Sequence, residues 1–131
     1  MNKKILNICL SIAKNSIDLH PRKNNYKHYS FIIQNDKIVE WGTNRAMDSL
    51  KIFGYEEHQM MHSENFAYKR SKGLLDKNKD FEVINVRLNK NGNIKISKPC
   101  FHCFKYLRRL GCSKIWYTDK LGKFKKIILD L

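Results

Sequence analysis

What most constrains this chain is how little of it follows the strand predicted to end at Thr118. Residues 119–131 must hold both a connection and one further strand, predicted over 124–129. A parallel return to the same sheet needs a crossover of a dozen or more residues, usually a helix. The loop Asp119-Lys120-Leu121-Gly122-Lys123 is too short for that, so the last two strands are predicted to form an antiparallel hairpin. Upstream, Ile5, Ile8, Cys9, Ile12, Ala13 and Ile17 recur at helical spacing and predict a helix over 3–19, stopped by Pro21. A strand over 28–34, a turn at Asn35-Asp36 and a strand over 37–41 ended by Gly42 read as a hairpin. Residues 43–61 have weak periodicity and read as loop. A helix over 61–72 closes at Gly73, and 81–88 is a strand that turns at Asn91-Gly92 through 94–97. Pro99 stands at the entry of a helix over 100–110 with Gly111 as its C-cap, and 114–118 is the next strand. The order is α-β-β-α-β-α-β-β, an α/β fold with a five-stranded mixed sheet covered by helices, in a single domain spanning 1–131.

The chain has 131 residues, 42% of them apolar, which is enough to bury a core and excludes a disordered polybasic tail. Its formal charge is +14, and dense positive charge suits a polyanionic partner such as nucleic acid. Only six of the 26 cations are Arg, however, and Lys, Asn and Ile are abundant together, a pattern that A/T-rich coding also produces. The N-terminal apolar run is broken by Asn7, Ser11 and Lys14, with no small-residue cleavage site after it, so it reads as a packing helix rather than a signal peptide. No stretch reaches the ~20 apolar residues of a membrane span. The expectation is a soluble intracellular protein without a membrane partner.

Chemistry concentrates in His62-Ser63-Glu64 and Pro99-Cys100-Phe101-His102-Cys103, each at a predicted helix start. Cys100 and Cys103 are three apart, so one helical turn turns both thiols to the same side. With His62 they make a three-ligand zinc set whose fourth position is open, the arrangement of catalytic zinc, which acidifies a bound water. Glu64 is then the candidate proton shuttle. His58 and His62 are four apart, so the alternative is a closed structural zinc site of two His and two Cys. A redox C-x-x-C is disfavoured by the lack of a thioredoxin-like context. Cys9, Cys112, Phe104, Leu107 and Leu110 are expected in the core, and His102 outside it. Trp116 and Tyr117 point to opposite faces of their strand.

His62-x-Glu64 followed by Pro99-Cys100-x-x-Cys103 resembles the zinc-dependent cytidine deaminase superfamily. The hairpin carrying Tyr29-Ser30-x-Ile32 and Trp41-Gly42-Thr43-Asn44 resembles that family's first hairpin, and the likeness extends over about residues 26–129. The resemblance implies a three-layer α/β/α cytidine-deaminase-like fold, one Zn2+ held by His62, Cys100 and Cys103, and Glu64 as the catalytic proton carrier. It implies hydrolysis of cytosine at C4, with loss of ammonia, to give uracil. The short final hairpin places the chain nearer the half of the superfamily that turns straight back after the fourth strand. Asn44, Ser63, Phe31 and Tyr117 are the expected substrate contacts, Asn44 because it matches a sugar-binding asparagine. Ala46 stands where free cytidine deaminases usually carry a glutamate, and Ser63 where a small apolar residue is usual.

The leading substrate expectation is cytosine in single-stranded DNA or RNA, already unstacked and held by basic residues interleaved with aromatics: Arg22, Lys23 and Lys27 near Tyr26 and Tyr29, with Arg108 and Arg109. The alternative is a free cytosine nucleoside or nucleotide, acted on by a chain that can be a homo-oligomer. A non-catalytic, zinc-stabilised nucleic-acid-binding module is the reading outside enzymes.

Overall fold

The strand with the most continuous apolar character, β5 (Phe81–Asn89), is the centre of the molecule. In the computed structural model, which describes residues 3–16, 26–43, 45–46, 60–61, 63–89 and 91–129, β5 is flanked on both sides and covered on both faces. It pairs antiparallel with β1 (Tyr26–Gln34) and parallel with β7 (Cys112–Thr118). Outward from these lie β2 (Lys37–Thr43) beside β1 and β8 (Phe124–Ile128) beside β7, giving the order β2-β1-β5-β7-β8. The β7–β8 pair is antiparallel, as the short connection between Thr118 and Phe124 requires. Asp119 shapes its loop: Oδ1 accepts from the backbone N–H of Leu121 at 2.8 Å and of Lys123 at 2.9 Å.

Helix α1 (Lys3–Asn15) covers one face of the sheet, and α2 (Ser63–Ser71) and α3 (Phe101–Arg109) cover the other, which makes the three layers. On the α1 face, Ile5, Leu6, Cys9 and Ala13 pack on Tyr29, Phe31, Ile33, Ile84, Val86 and Leu88. On the α2/α3 face, Ala67 and Leu107 meet Ile32, Phe81, Val83, Cys112 and Ile115. Strand alternation explains the split, because register partners such as Phe31 and Ile84, or Ile32 and Val83, share a face. Burying each such large side chain is worth roughly 1.5–3 kcal/mol.

Local chemistry fixes the joints. Asn35 and Asp36 both have positive φ, 55° and 58°, the two-residue turn that matches the twist of a β1–β2 hairpin. Gly42 on β2 lies against α2: a Cβ there would stand 2.8 Å from the Ala67 backbone nitrogen and 2.6 Å from Phe66 Cδ1. Cys100 is the N-cap of α3, with extended backbone, and its Sγ accepts from the Cys103 N–H at 3.4 Å. Gly111, at φ 100°, ends that helix in the conformation expected of a glycine cap.

Two expectations are corrected. The main sheet has six strands rather than five, because β6 (Ile94–Lys95) pairs with β5 through Arg87↔Lys95 and Leu88↔Ile94. Within the stretch read as loop, β3 (Arg45–Ala46) and β4 (Met60–Met61) form a separate antiparallel ribbon. The first helix ends at Asn15, where Ser16 folds its hydroxyl back onto the Ile12 carbonyl at 2.8 Å. Its expected extension to 19 and the stop at Pro21 lie outside the described residues.

Candidate active site

β5 and β7 run parallel, and a buried polar row crosses the sheet toward their carboxyl ends on the α2/α3 face. Register puts Ser30 of β1 beside Asn85 of β5, and Asn85 beside Tyr117 of β7. In open α/β sheets, crevices for ligands form outside the carboxyl ends of the parallel strands. Here two helix starts converge on the row. Ser63, in the first turn of α2, places its hydroxyl 2.7 Å from that of Ser30. Glu64, next to it, is only 5% exposed.

Asn85 joins the two helix starts. Its Oδ1 accepts from the Ser30 hydroxyl at 2.6 Å, and its Nδ2 donates to Glu64 Oε2 at 3.3 Å and to the Ser97 carbonyl at 3.4 Å. Ser97 is three residues before Cys100 and is itself pinned. Its hydroxyl donates to the Asn85 carbonyl at 2.9 Å and accepts from the Thr118 N–H at 2.7 Å. The Thr118 hydroxyl donates to the Lys95 carbonyl at 2.7 Å. The strap that delivers Cys100 is thereby tied to both β5 and β7. Buried polar groups persist only when partnered, and these partner one another.

Cys100 is exposed and Cys103 buried, and neither forms a disulfide. Both stand at the start of α3, whose first-turn N–H groups favour negative charge at that end. Two reduced thiols one turn apart at a helix start suit a thiophilic divalent cation such as zinc. Among the described residues no three His, Cys, Asp or Glu side chains come together. His62, the expected third ligand, lies outside the described residues, as do Asn44, Arg22, Lys23 and His58.

The remaining expected site residues divide. Ser63 and Glu64 face the polar row, and half-buried Tyr117 shares the face of Asn85. Phe31, expected at the substrate, is fully buried on the opposite face, stacked on Trp41 with ring centroids 5.9 Å apart. Alternation along β1 turns Ser30 and Ile32, not Phe31, toward α2. Lys27, expected as a surface phosphate contact, is 7% exposed. Arg108 and Arg109 are exposed, but on the last turn of α3, roughly 12 Å along the axis from its start. Cys9 and Cys112 are buried as expected, and desolvation pushes each thiol up to about 12. Leu107 is in the core with Phe104 and Leu110 against it, and His102 is exposed.

Asn85, Ser97 and Thr118 were not singled out by sequence, and Ser30 was named only as part of the first hairpin. The available signal was one amide inside the apolar run Val83-Ile84-Asn85-Val86, on the inward-facing parity of its strand. A separate depression of about 640 Å3 lies at the other ends of α2 and α3, lined by Tyr68, Leu75, Phe81 and Leu110 and by the 76–80 loop. Gln34 holds that loop, its Nε2 donating to the Asp76 carbonyl at 2.9 Å and its Oε1 accepting from the Asp76 N–H at 2.8 Å. It contains none of the residues of the polar row.

No protein-family model and no curated protein matches the sequence. Solved structures do. The chain is similar to a cytidine deaminase from Burkholderia pseudomallei (TM-score 0.67, 16% identity, covering 98% of this chain and 94% of that one). It is similar to the dCMP deaminase of cyanophage S-TIM5 (TM-score 0.61, 16% identity, 92% and 86%) and to a cytidine deaminase from Mycobacterium leprae (TM-score 0.58, 15% identity, 92% and 91%). With helices on both faces of a mixed sheet, a parallel β5–β7 pair and a final antiparallel hairpin, the chain has the cytidine and deoxycytidylate deaminase-like fold.

Proposed function

We propose that the protein is a zinc-dependent hydrolase that converts the cytosine ring of a free nucleoside or nucleotide to uracil. The observation that carries this reading is Glu64: a carboxylate 5% exposed, held by Asn85 at the start of α2, beside the strap that delivers Cys100-x-x-Cys103. His62, Cys100 and Cys103 would hold the metal. When bound with one position open, zinc supplies an acidified water for hydrolysis near neutral pH. Glu64 accepts one proton from the attacking water and gives it to ring N3, where it stays, then accepts a second from the new C4 hydroxyl and gives it to the departing amino group. A C4–O bond forms, the C4–N4 bond breaks, and cytosine plus water becomes uracil plus ammonia. A proton carrier placed in this way contributes typically about 10²–10⁴-fold in rate.

The free-substrate reading draws on two facts. The similar cytidine and dCMP deaminases are covered over 94% and 86% of their length. Exposed cations are spread over α1 (Lys3, Lys14), the far end of α2 (Lys69, Arg70) and the last turn of α3, and Arg70 pairs with Glu40 at 3.0 Å. The +14 charge favours a second reading, cytosine within single-stranded nucleic acid. Purified protein with measured zinc content is incubated with cytidine, dCMP and a cytosine-containing single-stranded oligonucleotide, and uracil is quantified in each. Uracil from the small molecules is the expected result. Uracil from the oligonucleotide alone would establish the second reading, and one tightly bound zinc with no uracil anywhere would leave a non-catalytic module.

A further inference from the structure

We infer that Asn85 is the positioning residue for Glu64, a role that rests on the deaminase reading above. The argument is one of hydrogen-bond accounting. The Asn85 amide meets three groups: the Ser30 hydroxyl, the Ser97 carbonyl and the Glu64 carboxylate. A carbonyl only accepts, so the amide nitrogen must be the end that faces Ser97, and that end also faces Glu64. The amide oxygen is left to Ser30, whose single proton goes to it at 2.6 Å. At the 2.7 Å contact between the two serines, Ser63 must therefore be the donor. With that proton committed, Ser63 can share it only weakly with Glu64 Oε1 at 3.3 Å.

Asn85 thus emerges as the principal donor in this ring to the carboxylate, and its own orientation is over-determined by Ser30 on one side and Ser97 on the other. The same two protons of Nδ2 tie Glu64, on α2, to the strap before Cys100, on α3. One amide sets the distance between the proton carrier and the thiol-bearing helix. Misplacing a reacting group by about 1 Å can cost roughly a hundredfold in rate, so a fixed carboxylate serves the chemical step rather than substrate capture. Asn85 itself is 4% exposed and acts through Glu64.

The test compares Asn85→Leu, Asn85→Asp and Ser30→Ala with the parent protein, each checked for a native melting transition and for zinc content. Both Asn85 variants are expected to lower kcat roughly ten- to hundredfold with KM changed less than about twofold and zinc retained. Asn85→Asp is the discriminating one. It keeps the size and the acceptor for Ser30 but presents an oxygen where Nδ2 donated. Ser30→Ala, which loosens the amide without removing its donor, is expected to lower kcat only a few-fold. Unchanged kcat in Asn85→Asp would overturn the inference, and so would a raised KM at intact kcat, which would make Asn85 a substrate contact. Should Asn85→Leu fail to fold, the other two variants decide. A second readout needs no turnover: the Asn85 side-chain NH2 resonance, assigned by its loss in Asn85→Asp, is expected to shift in Glu64→Gln. No shift refutes the contact, whereas a shift together with a parent protein that makes no uracil refutes the deaminase reading and leaves the contact standing.

Discussion

The two faces of the central sheet are built from the same three strands and have opposite characters at one end. Beneath α1, β1 and β5 present Tyr29, Phe31, Ile33, Ile84, Val86 and Leu88, all essentially inaccessible. Beneath α2 and α3 the apolar set Ile32, Val83 and Ile115 gives way, one step along each strand, to Ser30, Asn85 and Tyr117. Burying polar groups costs free energy unless every one is satisfied, so a fold places them in a core only where they do something. The difference between the faces singles out a candidate site that the size of a depression does not: the 640 Å3 depression lies at the far ends of α2 and α3, away from the polar row.

The strongest way to break this contrast is to remove the carboxylate it surrounds. Glu64→Ala is expected to lower uracil formation by about 10²–10⁴-fold while zinc, measured on the same preparation, stays at the parent level. Loss of the metal instead would make Glu64 a ligand. Next in size is a change on the other face. Phe31→Ala removes a fully buried ring that stacks on Trp41 and is expected to cost about 3–5 kcal/mol of stability in a denaturant titration. The fraction that remains folded should keep the parent kcat and KM. A selective rise in KM would return Phe31 to the substrate, where sequence had placed it.

That misplacement shows what sequence could carry. Helix and strand periods were legible in Ile5, Cys9 and Ala13 and in the run from Phe81 to Leu88, and the final hairpin in the short connection after Thr118, because local spacing and loop length set them. Candidate metal and acid residues could be proposed from sequence because coordination and proton transfer dictate which residue types and spacings suit them. Alternation along β1 was also legible, but which of its faces receives α2 depends on contacts between Ser30, Ser63 and Asn85, which are 33 and 55 positions apart from Ser30. Lys27 read as a surface cation by residue type, and tertiary packing leaves it 7% exposed. The short pairings of β6 and of the β3–β4 ribbon are two residues long and carry no pattern of their own.

A third prediction probes the seam where the polar face meets its helix. Gly42 has no room for a methyl group, since the neighbour at 2.8 Å is the Ala67 backbone and cannot rotate away. Gly42→Ala should therefore push α2 off β2, at roughly 1–3 kcal/mol of stability. Because α2 carries Ser63 and Glu64, kcat should fall as well, in contrast to Phe31→Ala. A stability loss with unchanged kcat would mean that the carboxylate is held from the Asn85 side alone.

The smallest effect tests whether the faces are alike away from the site. Cys9 lies on the inward face of α1 and Cys112 on the α2/α3 face of the sheet, and burial raises both thiols from 9.0 to about 12. Between those values the unfolded chain has released its thiol protons and the folded chain has kept them. The unfolded state then binds fewer protons, so stability falls as pH rises, by up to about 1.4 kcal/mol per thiol for each pH unit above 9. Below pH 9 both states hold the protons and the two thiols contribute no slope. Denaturant titrations at pH 8, 9 and 10 should show this alkaline loss, reduced by about half in Cys9→Ala and equally in Cys112→Ala. Unequal reductions would show that one face admits water where its partner does not. The exposed Cys100 offers the internal reference: in zinc-free protein at pH 8 it should react with iodoacetamide while Cys9 and Cys112 stay unmodified, because the reactive form is the thiolate and both buried thiols remain protonated.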